Sequence, residues 1–234
     1  MTYCDDDALI VPETAPVKTE RKGCATNLIL TALLLEAARM VDDGFETFDI
    51  EAAAQKAFGI PKGFLVQMEE IGIPKAIAAM EYLADASQAE DPLIKVYYNF
   101  FTPANSCRQI LDEYNNAEDK SSVVWVTEKD AKRKPFDFML VDNLSKRFMA
   151  VGFALSTELV DAEVIEMADV EKLCKETLGW KEGPFALMNA MGIEEALQIV
   201  TEKMQFSHRK EINFPVSRLL ITQAQKNTPW RIPT

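Results

Sequence analysis

One stretch of this chain occurs twice. Residues 49–73 (DIEAAAQKAFGIPKGFLVQMEEIGI) and 169–193 (DVEKLCKETLGWKEGPFALMNAMGI) align without a gap at a constant shift of 120 positions. The shift sets Asp49 on Asp169 and Glu51 on Glu171, and it sets Gly59, Gly63 and Gly72 on Gly179, Gly183 and Gly192. Met68 and Ile73 meet Met188 and Ile193. Glycine marks backbone positions that other residues adopt only at a cost, so three glycines held in register identify a duplicated unit of structure. The chain must fold into something that accommodates the same unit twice.

Each unit punctuates itself as helices. Asp49 has the chemistry of an N-cap, and Ile50, Ala53, Ala54 and Ala57 then line one face. Gly59 stops that helix, a short helix over 64–71 follows Gly63, and Pro74 opens a third over 74–84 after Gly72. A long helix precedes each unit. The first, over 25–43, is apolar nearly all round and is expected to be central and buried. The second covers 144–164. Residues 91–116 read as helical in parts, with a break near Pro103. Between the units, 121–127 (SSVVWVT) and 135–141 (PFDFMLV) carry the β-branched, aromatic and alternating pattern of a small β or extended excursion. Beyond Lys203 the chain turns polar and irregular, a helical turn is expected over 214–220, and 228–234 (TPWRIPT) reads as an extended tail laid on a surface. The expected fold class is mainly α, two tandem helical domains related by internal duplication. The expected division is an extended arm over 1–22, a first repeat over 23–120, a connecting segment over 121–143 and a second repeat with its tail over 144–234.

Composition excludes several classes. Twenty-five basic against 37 acidic residues give a net charge of −12, which repels nucleic-acid backbones and anionic lipid, so neither is an expected partner. Cys4, Cys24, Cys107 and Cys174 are scattered, with no C-x-x-C pair and no adjacent His, and read as thiols rather than metal ligands. Asp5, Asp6 and Asp7 stand where a signal peptide carries positive charge, and the apolar run 28–35 is too short to span a bilayer. A cytoplasmic protein is expected. Met68, Met80, Met188 and Met191 read as core filler, Trp125 and Trp180 as buried packing junctions, and Glu69 and Glu70 as a solvated face.

The motif order points further. Gly23-Cys24-Ala25-Thr26-Asn27-Leu28, Glu36-Ala37-Ala38 nine positions after the Asn, Asp42-Asp43-Gly44-Phe45, Asp49-Ile50 and Gly59-Ile60-Pro61-Lys62-Gly63 together resemble the C-terminal domain of 3-hydroxyacyl-CoA dehydrogenases, whose pattern runs G-F-x-x-N-R-L-L, E-A, E-G, I-D, G-x-G-x-P-x-G-P-F. Gly179-Trp180-Lys181-Glu182-Gly183-Pro184-Phe185 and Met191-Gly192-Ile193 look similar in the second copy. Two such domains in tandem resemble the C-terminal half of the multifunctional fatty-acid oxidation proteins. The resemblance implies an all-α fold like that of the 6-phosphogluconate dehydrogenase C-terminal domain.

It also implies an activity, the NAD-dependent oxidation of 3-hydroxyacyl-CoA in β-oxidation. The family begins that work on a Rossmann domain, whose phosphate turn needs glycines at G-x-G-x-x-G spacing. Glycine occurs here only at 23, 44, 59, 63, 72, 152, 179, 183 and 192, so no such turn exists in these residues. The family's general base is a His paired with a Glu on that same domain, whereas the single histidine here is His208, in FSHRK. Asn27 alone occupies a catalytic position of the family, where an amide donor helps hold the substrate carbonyl; Thr26-Asn27 capping the long helix is the other reading. Leu28 replaces the family's following Arg, and in the second copy a one-residue adjustment puts Lys146 opposite Asn27. The resemblance thus implies the substrate-cleft and assembly portion of a dehydrogenase. It would act on acyl-CoA with NAD held by a Rossmann domain from another or a longer chain, beside a possible hydratase-type subunit. A non-catalytic subunit that binds acyl-CoA or a partner is the alternative. Because the family's shorter members dimerise through this domain, the second copy resembles a partner built into one monomeric chain.

Overall fold

The computed structural model describes residues 20–87, 97, 99–133 and 137–233. Eleven α-helices and no strand occur among them. In chain order they are α1 (Glu20–Asp42), α2 (Thr47–Phe58), α3 (Phe64–Ile71), α4 (Ile73–Ser87), α5 (Asn105–Asn116), α6 (Glu128–Ala131), α7 (Phe138–Asp161), α8 (Met167–Glu176), α9 (Pro184–Met191), α10 (Ile193–Arg209) and α11 (Arg218–Lys226). The expected mainly-α duplication holds. The α2–α3–α4 succession of the first unit returns as α8–α9–α10 in the second.

Two long helices organise the packing. α7 lies against α2, α10, α1, α11 and α9, and α1 lies against α3, α4, α5 and α8 as well as α7. One continuous apolar core runs through both copies, from Leu33, Leu34 and Leu35 of α1 to Phe148 and Phe153 of α7 and Phe185 of α9. The apolar circumference of α1 has this cause. Ala32, Leu33, Leu34, Leu35, Ala37 and Ala38 are fully buried because neighbours cover the helix on every side.

Of the expected β or extended excursion no strand forms among the described residues: Lys120–Ser122 is a short 3-10 turn, and Val123 and Thr127 beyond it are extended. Val123–Thr127 has no ladder partner, and it is the Glu69 carboxylate that accepts from the Val126 amide at 2.8 Å. Glu69 is therefore half-buried structure rather than part of a solvated face, while Glu70 does stay exposed, paired with Lys62. Residues 138–141 of the second alternating run belong instead to the first turn of α7, which Asp137 caps by accepting from the Met139 and Leu140 amides at 2.9 and 3.1 Å. A short alternating run cannot by itself be told from a helix start, and the cap decides between them. Of the extended arm expected over 1–22, residues 20–22 are helical and open α1, while 1–19 lie outside the described residues, as do Pro135, Phe136 and the helical reading of 91–96. The polar stretch beyond Lys203 is more regular than its composition implies: α10 continues to Arg209, and α11 begins at Arg218 behind the Ser217 cap. The tail runs without regular structure, as expected, and is pinned where Trp230 and Asn189 exchange hydrogen bonds at 2.7 and 3.0 Å and the Trp230 ring meets Phe185 edge-on.

The repeated glycines now have a physical account. α3 and α9 start at Gly63 and Gly183, which offer no side chain to their free amides. The caps come from another helix. Glu51 of α2 accepts from the Leu65 and Val66 amides at 2.8 and 3.4 Å, and Glu171 of α8 accepts from the Phe185 and Ala186 amides at 2.5 and 3.1 Å. The carboxylate sits so close that a β-carbon on Gly63 would lie 2.6 Å from it, and one on Gly183 would strike Glu171 in the same way. Glu51 and Glu171, aligned by the repeat, thus belong to it for the same reason as the glycines. Asp49, by contrast, is not an N-cap: α2 starts at Thr47 behind Glu46, placing Asp49 inside the first turn.

Candidate functional site

Asn27 is the residue that the sequence singles out, and the structure places it within α1. That helix begins at Glu20, so Asn27 is not its cap, and the capping reading falls. The side chain is 4 % exposed, between Ala25 and Leu28 on a helix buried on all sides. Lys146, opposite it in the second copy, is an exposed residue of α7 that pairs with Glu195 at 3.1 Å. His208 is exposed in the last turn of α10 and is brought to neither.

The strongest concentration of polar chemistry lies at the other end of α1. Asn27 and Arg39 are twelve positions apart, about 18 Å along a helix rising about 1.5 Å per residue. There Glu36, 0 % exposed, accepts from Arg147 of α7 at 2.7 and 2.9 Å and from Lys203 of α10 at 2.6 Å. Arg147 reaches on to Asp43 at 2.9 Å, and Lys210 closes on the other Asp43 oxygen. Burial alone would push the Glu36 carboxyl up; Lys203, Arg147 and Arg39 together outweigh it and hold it at about 2. The same burial lowers Lys203 to about 8 against the pull of Glu36. One ion cluster thus ties α1 of the first copy to α7 and α10 of the second.

Above the cluster opens a cleft of about 640 Å³, lined by Arg39, Arg147, Lys203, Ser207 and Lys210 among others. Asp42 stands at its edge with both oxygens committed, accepting from the Asn105 and Ser106 amides at 2.8 Å each and so capping α5, whose own N-cap is Ala104. Arg39 stacks over the Phe100 ring at 4.7 Å and donates from Nη2 to the Phe100 carbonyl. Sequence reasoning quoted Glu36 as part of a motif without a role and passed over Arg39, Arg147 and Lys203. The signal available was a Glu and an Arg three positions apart in a helix otherwise apolar all round, since buried charges must be paired.

No group of described residues could hold a metal ion, and Cys107 and Cys174 are buried, unpaired thiols, Cys107 pushed up to about 12 by burial. No described helix is long and apolar enough to cross a membrane.

Against known families, the model of the 3-hydroxyacyl-CoA dehydrogenase C-terminal domain matches residues 23–105 and again 144–227. The chain belongs to this family. Its two matched segments hold the two copies of the repeat, each with the long helix that precedes it. No curated protein and no solved structure matches. Among the described residues there is neither a strand nor a glycine-rich strand-to-helix turn, and the glycines at the starts of α3 and α9 are filled from behind by Glu51 and Glu171 rather than left open to a phosphate.

Proposed function

We propose that this chain supplies the substrate-cleft and assembly portion of a 3-hydroxyacyl-CoA dehydrogenase of β-oxidation-type fatty-acid metabolism in the cytoplasm. The nicotinamide cofactor and the His–Glu base would be held by a Rossmann domain from another or a longer chain. The observation that carries this reading is the tandem family match, and the resemblance of Gly23-Cys24-Ala25-Thr26-Asn27-Leu28 to the family's motif supports Asn27 as its donor. In that role Asn27 is an amide donor toward a substrate carbonyl: it directs an N–H without ionising and needs no proton of its own to move.

The test is reconstitution. The chain is mixed with a Rossmann-domain partner of the family, NADH and a 3-ketoacyl-CoA, and the oxidation of NADH is followed. Activity that appears only in the mixture, and falls by about 100-fold in Asn27→Ala, is the expected result, the size being that of losing one oxyanion donor. Circular dichroism and thermal unfolding of the variant separate this loss from misfolding.

The 4 % exposure of Asn27 favours a second reading, a non-catalytic subunit that binds acyl-CoA or a partner enzyme. Saturable acyl-CoA binding with no activity beside any Rossmann partner would select it.

A further inference from the structure

The C-terminal segment is held as a peptide ligand is held. Asn189 of α9 accepts from the Trp230 amide at 2.7 Å and donates to the Trp230 carbonyl at 3.0 Å, so one side-chain amide grips both main-chain groups of one residue. Gln223 of α11 donates to the Thr228 carbonyl at 2.7 Å and to the Pro229 carbonyl at 3.3 Å. These four bonds all go to backbone, so they read an extended chain and are blind to its side chains. Side chains enter by alternation. Trp230 is buried with its ring 5.2 Å from Phe185 and Ile232 packs against the core, whereas Pro229, Arg231 and Pro233 are exposed.

The first copy has the same feature built from different residues. At the shift of 120 positions Asn189 falls on Glu69, and Glu69 of α3 accepts from the Val126 amide at 2.8 Å beside the buried Trp125. Each repeat unit therefore receives a tryptophan-bearing, non-helical segment on its short middle helix. The held amide belongs to Trp230 itself in one copy and to the residue after Trp125 in the other, so this face of the unit accepts segments of different sequence and register. A carboxylate can only accept, whereas the Asn189 amide both accepts and donates, which makes the second copy the fuller grip on a main chain.

We propose that the face formed by Phe185, Asn189 and Gln223 is a docking site for an extended polypeptide segment of a partner protein, one with an aromatic residue after a proline and an aliphatic residue two positions on. The chain's own residues 228–233 fill it as a stand-in. Pro229 and Pro233 bias Thr228 and Ile232 toward extended backbone before docking, which lowers the ordering cost for any segment of this pattern. The inference is independent of the dehydrogenase reading, since no substrate, cofactor or catalytic group enters it. The resident segment is tethered at an effective concentration on the order of millimolar, so a partner segment reaches the face only where the tail has let go.

The test uses the full chain carrying Trp230→Ala, which empties the aromatic seat, and a fluorescein-labelled synthetic peptide of residues 228–234 (TPWRIPT) followed by anisotropy. Saturable binding to this variant, and none to the parent chain at equal concentration, is the expected result. Trp230→Ala in the peptide should weaken binding by about 30-fold, as loss of an anchor residue does. Asn189→Ala added to the protein should weaken it by about tenfold, for the two hydrogen bonds lost. Circular dichroism shows whether the variant folds. If it does not, hydrogen exchange on the parent chain decides: the Trp230 amide should exchange at least about 100-fold faster than the amides of α7, because a docked tail opens locally. Exchange there no faster than in α7 overturns the proposal. So does the absence of saturable binding to the folded variant, equal binding to the parent, or binding indifferent to either the peptide's Trp or Asn189. A tail-exchanged dimer of the parent in sedimentation would give the face to a second copy and overturn the assignment to a partner protein.

Discussion

Glu51 occupies two roles that oppose each other, and the opposition is measurable. Its Oε1 caps α3, which favours the charged form, but it does so from a buried position, and burial wins: the carboxyl is pushed up from 4.5 to about 7. Between pH 4.5 and pH 7 the folded chain therefore holds a proton that the unfolded chain has released. Stability from this group is fully present below pH 4.5 and is lost as pH rises toward 7, by about 3 kcal/mol at 1.36 kcal/mol per unit. Glu171 is raised by the same cause and acts in the same direction. Glu51→Gln keeps the accepting oxygen and removes the titration. Urea unfolding of the two proteins across this window should show a flatter pH profile in the variant, and superimposable profiles would refute the assignment. Of this arrangement the sequence displayed the partners but not their contact. The repeat aligned Glu51 with Glu171 and Gly63 with Gly183, yet a carboxylate reaching across from one helix to cap another leaves no local signature, because capping rules look only to neighbours in sequence.

At the scale of elements, the two copies meet where the first helix of each repeat unit ends. Gly59, the C-cap of α2, and Gly179, three residues beyond the end of α8, both take the left-handed conformation, with φ of +67° and +69°. The residues beside them interlock: the Phe58 and Trp180 rings stack at 3.8 Å with 19° between their planes, and the Lys181 amide donates to the Phe58 carbonyl at 2.8 Å. Gly152 of α7 lies beneath, where a β-carbon would come within 3.1 Å of Trp180 and 3.4 Å of Phe58. Trp180→Ala should cost about 3–5 kcal/mol in denaturant unfolding, as loss of a buried aromatic does. Trp180→Phe should cost much less, because the indole N–H has no partner to lose. Equal costs for the two would mean that stacking is not what joins the copies here. The burial of Trp180, the stopping glycines and the all-round burial of α1 were legible from residue pattern. The strand alternative of that β or extended excursion misled because propensity over five to seven residues is weak evidence when a helix cap lies within the same run, and the pairings of the ion cluster could not be read because Glu36 lies 111 positions from Arg147 and 167 from Lys203.

For the whole molecule, the packing bears on how many chains associate. α1, the helix that leads into the first repeat unit, is covered from within the same chain by α7 and α8 of the second half. Glu36 spends both oxygens on Arg147 and Lys203 of that half, so a second chain docking along α1 would have to displace a buried ion pair and leave a charge unsatisfied. The large apolar side chains that stay exposed among the described residues are few, Val124, Phe138, Met139 and Ile221, and only Phe138 and Met139 are adjacent in sequence, which is less than a stable homodimer interface needs. We infer that the second copy takes the place of a dimer partner and that the chain is a monomer. Sedimentation velocity at micromolar concentration should then give a single species near 26.3 kDa. Lys203→Met, which leaves Glu36 short of one partner, should destabilise that monomer by about 3–5 kcal/mol without changing its mass, since both sides of the broken pair belong to one chain. A tight dimer in the parent protein that dissociates in Lys203→Met would instead place the partner of Glu36 on a second chain, and the internal-partner reading would be wrong.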